Sequence, residues 1–276
     1  MLLGHPIDQI VWLVLLILAG GAVTGVLAGL FGIGGGGIIV PVLYEVFGVL
    51  QVTDDLRMQL CIGTSLAIIV PTSLRAYLAH KKKGAVMPSV MRIWLMPAVV
   101  GVVIGAAIAS FAPSQVFKIA FVVFTAFIAA KMLFAGDRWN VSTELPGRIL
   151  LAAYGFVTGL FSSLVGVSGG ALSNAVLTLY GLPMQRAVAI SAGIGVPITI
   201  VGATGYAIAC WPHMAQLPPG SLGFVSVIGF VLMAPVSSYT TTYGVRLAHW
   251  LPRRQLEIGF GIFLLLVSAR FLATLI

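Results

Sequence analysis

Glycine, serine and threonine, more than histidine or carboxylates, are the residues of this 276-residue chain whose grouping could do chemistry. "GLFGIGGGGIIVP" fills positions 29–41 and holds Gly34, Gly35, Gly36 and Gly37 in one unbroken run. "GVSGGALSN" fills 166–174 and holds Ser168, Gly169, Gly170, Ser173 and Asn174. Glycine costs a helix interior about 1 kcal/mol relative to alanine, so each stretch predicts a break between two helices. A helix that restarts after such a break presents free N–H groups and the positive end of its dipole. Glycine lets an anion approach that backbone closely, and the hydroxyls and amide of the second stretch add donors. The chemistry predicted is the binding of a small anion. Gly32, Gly34 and Gly37 satisfy G-x-G-x-x-G, but that spacing signals a dinucleotide only between the strand and helix of a βαβ unit, which apolar surroundings exclude. The same glycines equally serve close helix packing, and the two roles are compatible.

Further donors flank these stretches. "GTS" at 63–65 supplies Thr64 and Ser65, and its counterpart "SAG" at 191–193 supplies Ser191. In membrane helices such hydroxyls also bond their own backbone. Arg57 and Arg186 begin matching helices, where each could meet an anion or simply snorkel to the interface. Arg75 reads as an interfacial anchor, and "SSYTTTYG" at 237–244 reads as a polar path or a helix seam. None of the seven acidic residues falls clearly at mid-span, so no coupling ion is assigned. Cys61 and Cys210 lack CxxC spacing, so neither a metal site nor any cofactor is expected. No HExxH, no GxSxG with a histidine partner and no paired membrane aspartates appear, which argues against an enzyme. The absence of an ATP-binding motif excludes a primary pump acting alone.

Positioning these residues is the work of membrane helices. The chain is 59% hydrophobic, 8% charged and has a mean hydropathy of +1.10, whereas soluble domains carry roughly 25% charged residues. Stretches 9–44, 93–117, 149–185 and 187–245 contain no Asp, Glu, Lys or Arg, and about 20 apolar residues suffice to span a bilayer as helix. The N-terminal apolar run lacks a preceding Lys or Arg and reads as a retained first helix. The net charge of +8 fits basic cytoplasmic loops and implies no nucleic-acid partner. The partners expected are a small anionic substrate and membrane lipids, with a homodimer as an option.

The two glycine stretches belong to a repeat. Gly25, Gly29, Leu30 and Phe31 match Gly155, Gly159, Leu160 and Phe161; after a four-residue insertion, Gly32, Gly35 and Gly36 match Gly166, Gly169 and Gly170. "LMPAVVG" from Leu95 echoes "LMAPVSS" from Leu232, and segment 113–133 matches 252–272 at six of 21 positions. Matches in the same order across both halves argue for duplication. Loop 80–92 carries Lys81, Lys82, Lys83 and Arg92, while its counterpart 210–221 carries no Lys or Arg; the neutral "FAPSQ" at 111–115 corresponds to a loop with Arg253 and Arg254. Positive charge marks the cytoplasmic side, so equivalent loops are expected on opposite faces. The fold expected is an all-α polytopic membrane protein of two inverted-topology repeats. Its elements are 8–31, 36–50, 57–79, 93–111 and 115–135, then 148–165, 169–181, 186–209, 222–247 and 255–275. The second element of each half is a short or re-entrant half-helix. Residues 1–136 form the first repeat, 137–147 a cytoplasmic inter-repeat loop and 148–276 the second repeat, with both termini outside.

The paired glycine segments "GLFGIGGGGIIVP" and "GLFSSLVGVSGG", with "CIGTSLAIIVPTS" and the basic "HKKKG" loop, resemble the TauE/SafE family of membrane permeases, the sulfite-exporter or toluene-sulfonate-uptake family. The resemblance covers about residues 10–275. It implies a secondary transporter of the bacterial or archaeal cytoplasmic membrane that moves small sulfur-containing anions, sulfite or an organosulfonate such as sulfoacetate. A channel, or a carrier of another small organic anion such as a carboxylate, is the alternative. The substitution of "SAG" for "GTS" in the second half departs from the family pattern and makes the site asymmetric.

Overall fold

Ten helices and one two-stranded hairpin follow one another in a computed structural model that describes residues 7–31, 35–82, 84, 86–135, 142, 144–210, 214, 216–247 and 253–275. The helices of the first half are α1 (Ile7–Phe31), α2 (Gly36–Val49), α3 (Asp54–Lys82), α4 (Pro88–Ile108) and α5 (Ser114–Ala130), the last continued by a π-helical turn, Lys131–Ala135. Those of the second half are α6 (Arg148–Val165), α7 (Gly170–Leu179), α8 (Met184–Ala209), α9 (Val227–Leu247) and α10 (Arg253–Ala273). The hairpin, β1 (Ser221–Leu222) and β2 (Val225–Ser226), precedes α9. Gly34 and the rest of 32–34 lie outside the described residues, as do 137–141 and 143 of the inter-repeat loop.

Local chemistry sets the helix ends. Asp54 and Asp55 occupy the first turn of α3, and His80, Lys81 and Lys82 its last, the charge order that the helix dipole favours. For that reason α3 starts three residues before the expected 57. Pro88 opens α4, where its missing N–H costs nothing, so α4 also starts ahead of the expected 93. The expected helix 222–247 is corrected at its start: residues 221–226 form the hairpin instead, with Gly220 and Gly223 at φ +81° and +56°. A helix cannot run through those left-handed glycines.

Among the described residues, six helices are long and apolar enough to cross a membrane, α3 and α8 being the most enclosed by neighbours of the six. α9 has the length, but its hydroxyl run lowers its hydropathy. Large apolar side chains such as Trp12, Phe111, Phe134 and Ile149 stand exposed around the bundle. A water-soluble surface does not carry so many; lipid covers them.

Close glycine contacts fix how the helices run. Along α4 and α6, Trp94 meets Gly155, Ala98 meets Gly159 and Gly105 meets Ser163, so the two helices are parallel. Along α1 and α9, Gly21 meets Met233, Gly25 meets Ser237 and Gly244 meets Val26, again parallel. α3 and α8 run antiparallel, with Gly63 against Tyr206 and Gly193 against Tyr77. α5 and α10 are antiparallel too, with Phe121 on Phe271 and Leu133 on Gly261. Each half thus lays its first helix on the fourth helix of the other. Small residues at these crossings let backbones approach closely, which is how helices associate where lipid removes the hydrophobic drive.

Candidate functional site

The two helix breaks meet in the interior. Gly35 is the N-cap of α2 at φ 74°, ψ 0°, and Gly169 is the N-cap of α7 at φ 72°, ψ −5°. Two positions matched by sequence therefore adopt one left-handed geometry, which glycine alone takes without strain. Neither helix has a side-chain cap on that residue. Their first-turn N–H groups are those that helix geometry leaves without acceptors inside the helix. Ser168 Oγ lies 3.4 Å from the Gly170 nitrogen and accepts from it.

Gly36 packs directly on the backbone of Gly166 and Val167; a β-carbon at Gly36 would run into the Gly166 carbonyl oxygen. Ser65 of α3 donates to the same carbonyl at 2.7 Å. One oxygen therefore joins the first break, the second break and the "GTS" segment. Gly166 owes its position to a left-handed φ of 77° that ends α6, with the N–H groups of Gly166 and Val167 both bonded to the Ser162 carbonyl. The Ser162 hydroxyl turns back to the Val167 carbonyl. Tyr206 of α8 donates to the Ser163 carbonyl at 2.7 Å. These contacts stiffen the four-residue insertion that distinguishes the second stretch.

The remaining sequence-selected residues have protein partners. Thr64 Oγ1 accepts from the Ser226 N–H at 2.9 Å, which ties the hairpin to α3. Ser191 donates to Asn174 Oδ1 at 2.6 Å, joining α8 to α7. Ser173 bonds back to the Gly169 carbonyl, as hydroxyls in membrane helices commonly do. Arg57 is not at the junction: it donates to the Val52 carbonyl at 2.7 Å, pairs with Asp54 at 3.0 Å and lies 5.1 Å from the Tyr44 ring centre. Arg186 is exposed in the first turn of α8. Gly37 is half-buried beside Leu264 and Phe260 of α10.

Three residues that sequence reasoning passed over belong here. Thr24 presses its methyl on Gly35, and its buried Oγ1 has no hydrogen-bond partner among the described residues. Thr158 stands in the same relation to Gly169, with Cγ2 2.7 Å from where a β-carbon would be. Ser73 and Ser168 converge on Gly195, each within 3.4 Å of its would-be β-carbon. Position beside a repeat glycine, as in "GGAVTG", is the only signal in the sequence for Thr24.

What the junction offers chemically is a cluster of main-chain N–H groups and short hydroxyls at two helix starts, with no carboxylate among the described residues there. Such a place suits an anion. Among the described residues, no group of three or more His, Cys, Asp or Glu could hold a metal ion.

The family model described as sulfite exporter TauE/SafE matches residues 17–271. A probable membrane transporter protein of Haemophilus influenzae is 29% identical over 255 residues, covering 92% of this chain and 96% of its own length. One from Methanocaldococcus jannaschii is 26% identical over 86% of this chain and 87% of its own. A third, YunE of Bacillus subtilis, is 28% identical over 73% of this chain and 82% of its own.

Proposed function

This chain belongs to the sulfite exporter TauE/SafE family of multi-pass membrane transport proteins, and on that premise we propose that it carries a small sulfur oxyanion or organosulfonate by alternating access. The observation that carries the reading is the packing of Gly36, at the start of α2, on the Gly166–Val167 backbone of the second break, with a left-handed glycine, Gly35 or Gly169, capping the short helix that follows each break. A sulfite or sulfonate group presents several acceptor oxygens and no donor requirement. The first-turn N–H groups of α2 and α7 and the unpartnered Thr24 hydroxyl are donors, and Ser168 with its hydroxyl beside them completes the set. Thr64, Ser65, Ser173, Asn174 and Ser191 belong to the second layer of this reading: they hold the two breaks rather than face the anion.

The two halves are proposed to be inverted copies. Antiparallel packing of the equivalent helices α3 and α8, and of α5 and α10, supports this, as does the exchange by which α1 pairs with α9 and α6 with α4. Broken helices meeting between inverted repeats are a recurrent design of secondary transporters. Single cysteines at Lys82 and Gln216 are expected to label from opposite faces of the membrane, and labelling from one face would end the inverted reading.

Substrate class is tested by uptake into proteoliposomes. Sulfite, sulfonates, sulfate and carboxylates are offered in turn under defined proton and sodium gradients. Saturable transport of a sulfur anion is expected; preference for a carboxylate over every sulfur anion would replace the substrate proposed here.

A further inference from the structure

Away from the glycine junction, α5 begins with a buried positive charge. Lys118 is only 6% exposed and lies 5.5 Å from the Tyr44 ring centre. Among the described residues no carboxylate or hydrogen-bond acceptor pairs with it. Of the neighbouring acids, Asp54 is engaged by Arg57 and Tyr44, and Glu45 by Arg270 at 3.0 Å. Arg57 lies 5.1 Å from the same tyrosine ring, so a second positive charge stands beside that ring. A buried charge is tolerated when it is paired, and an electrostatic surplus of this kind calls for a negative partner.

Two further atoms are left over at the same helix start. Ser114 lies one turn before Lys118 on the same face, is 4% exposed, and its Oγ has no partner among the described residues. Gln59 of α3 is 3% exposed; it donates to the Ala112 carbonyl at 3.3 Å, while its Oε1 is unpartnered. A buried cation, an idle hydroxyl donor and an idle amide acceptor thus gather where α5 meets α2 and α3. Tyr44 is eight residues from Gly36 along α2, about 12 Å at helical rise. The place is therefore separate from the glycine junction. The sequence match of 113–133 with 252–272 sets Glu257 opposite Lys118, so the cation is peculiar to the first half.

We propose that the start of α5, with Lys118 and Ser114 as donors and Gln59 as acceptor, is a second anion site, closed in this conformation, that a small water-borne oxyanion occupies on its way to or from the glycine junction. Lys118 supplies the charge and Ser114 a hydrogen bond. The Gln59 oxygen receives a proton donor, either the ammonium itself or a hydroxyl of a protonated oxyanion such as hydrogen sulfite. The identity of the anion rests on the transport reading; the existence of the site does not.

The test uses the full chain in neutral detergent free of anionic lipid, with thermal unfolding followed against sulfite, sulfate, phosphate and acetate at constant ionic strength. An anion is expected to stabilise the natural protein. Lys118→Met is expected to raise the half-saturating concentration about tenfold or more, the loss of one charge-assisted contact, while Lys118→Arg keeps it. Without anion, Lys118→Met is expected to be at least as stable as the natural protein, because an unpaired buried charge has been removed. If Lys118→Met unfolds earlier without anion and binds anion unchanged, Lys118 is structural and the site is refuted. If phosphatidylglycerol alone stabilises the protein through Lys118, the occupant is a lipid headgroup and the proposal is likewise overturned. Uptake is measured in parallel. Sulfur-anion transport indifferent to Lys118→Met refutes the site and leaves the transport reading standing. Lys118-dependent anion binding without sulfur-anion transport refutes the substrate reading and leaves the site standing.

Discussion

The two short helices, α2 and α7, are the same device built twice with different residues. Both start at a left-handed glycine, Gly35 or Gly169. Both end with the same pair of backbone bonds: Gln51 and Val52 return to Gly48 and Phe47, and Gly181 and Leu182 return to Thr178 and Leu177. The residue in the left-handed position after the helix is Gln51 at φ 58° in one and Gly181 at φ 74° in the other. α2 then makes a charged neighbourhood with Asp54, Arg57 and Lys118, whereas α7 borders Tyr180, whose hydroxyl meets that of Tyr154 at 3.2 Å. Backbone geometry is the same at the two short helices while the side chains around them differ. The two short helices are therefore alike in main-chain geometry and different in the side chains gathered at their far ends.

The sharpest way to break that comparison is at the junction, where the halves touch rather than mirror each other. Gly36→Ala drives a methyl into the Gly166 carbonyl, and both sides are backbone, so neither can yield cheaply. A loss of about 1–3 kcal/mol is expected, as for overpacking in a core. Transport in proteoliposomes should be abolished. Gly37→Ala, whose β-carbon would lie 3.1 Å from the flexible tip of Leu264, should be tolerated.

Next come the caps. Gly35→Ala and Gly169→Ala each force a left-handed residue, at about 1–2 kcal/mol, and each meets a threonine methyl, Thr24 or Thr158. Both should lower thermal stability and transport to a similar degree. If one is harmless, only one half forms the site. The smallest effect is expected at the far ends of the same helices. Gln51→Gly should stabilise the protein by about 1 kcal/mol, and Gly181→Gln should destabilise it by as much; unfolding temperature reads both.

The sequence revealed the helix breaks because glycine runs are costly in helices, and α6 matches its expected range of 148–165. It also matched Gly35 with Gly169, and both adopt the same left-handed cap. The partners of the polar side chains were out of reach. Thr64 bonds to a backbone N–H 162 residues away, and Ser65 to a carbonyl 101 residues away; only the folded chain brings these together. Residues 222–226, "LGFVS", read as the start of a helix because a short apolar run has no period that separates helix from strand. Lys118 gave no signal either, since a lysine near a helix end normally reaches solvent, and burial against Tyr44 is a tertiary fact.

The crossed pairing of first and fourth helices has a consequence for biosynthesis. α1 leaves the ribosome with Gly21 and Gly25 shaped for α9, which is made some two hundred residues later. Until then those two glycines have only lipid or borrowed partners. Neither half can complete its own packing, so the five-helix fragments are not independent folding units, and assembly must wait for the last quarter of the chain. Long sequence separation of this kind slows folding and lengthens the exposure of unpaired surfaces. Co-expressed halves should reconstitute a working protein only by finding each other in the membrane, and either half alone should be degraded.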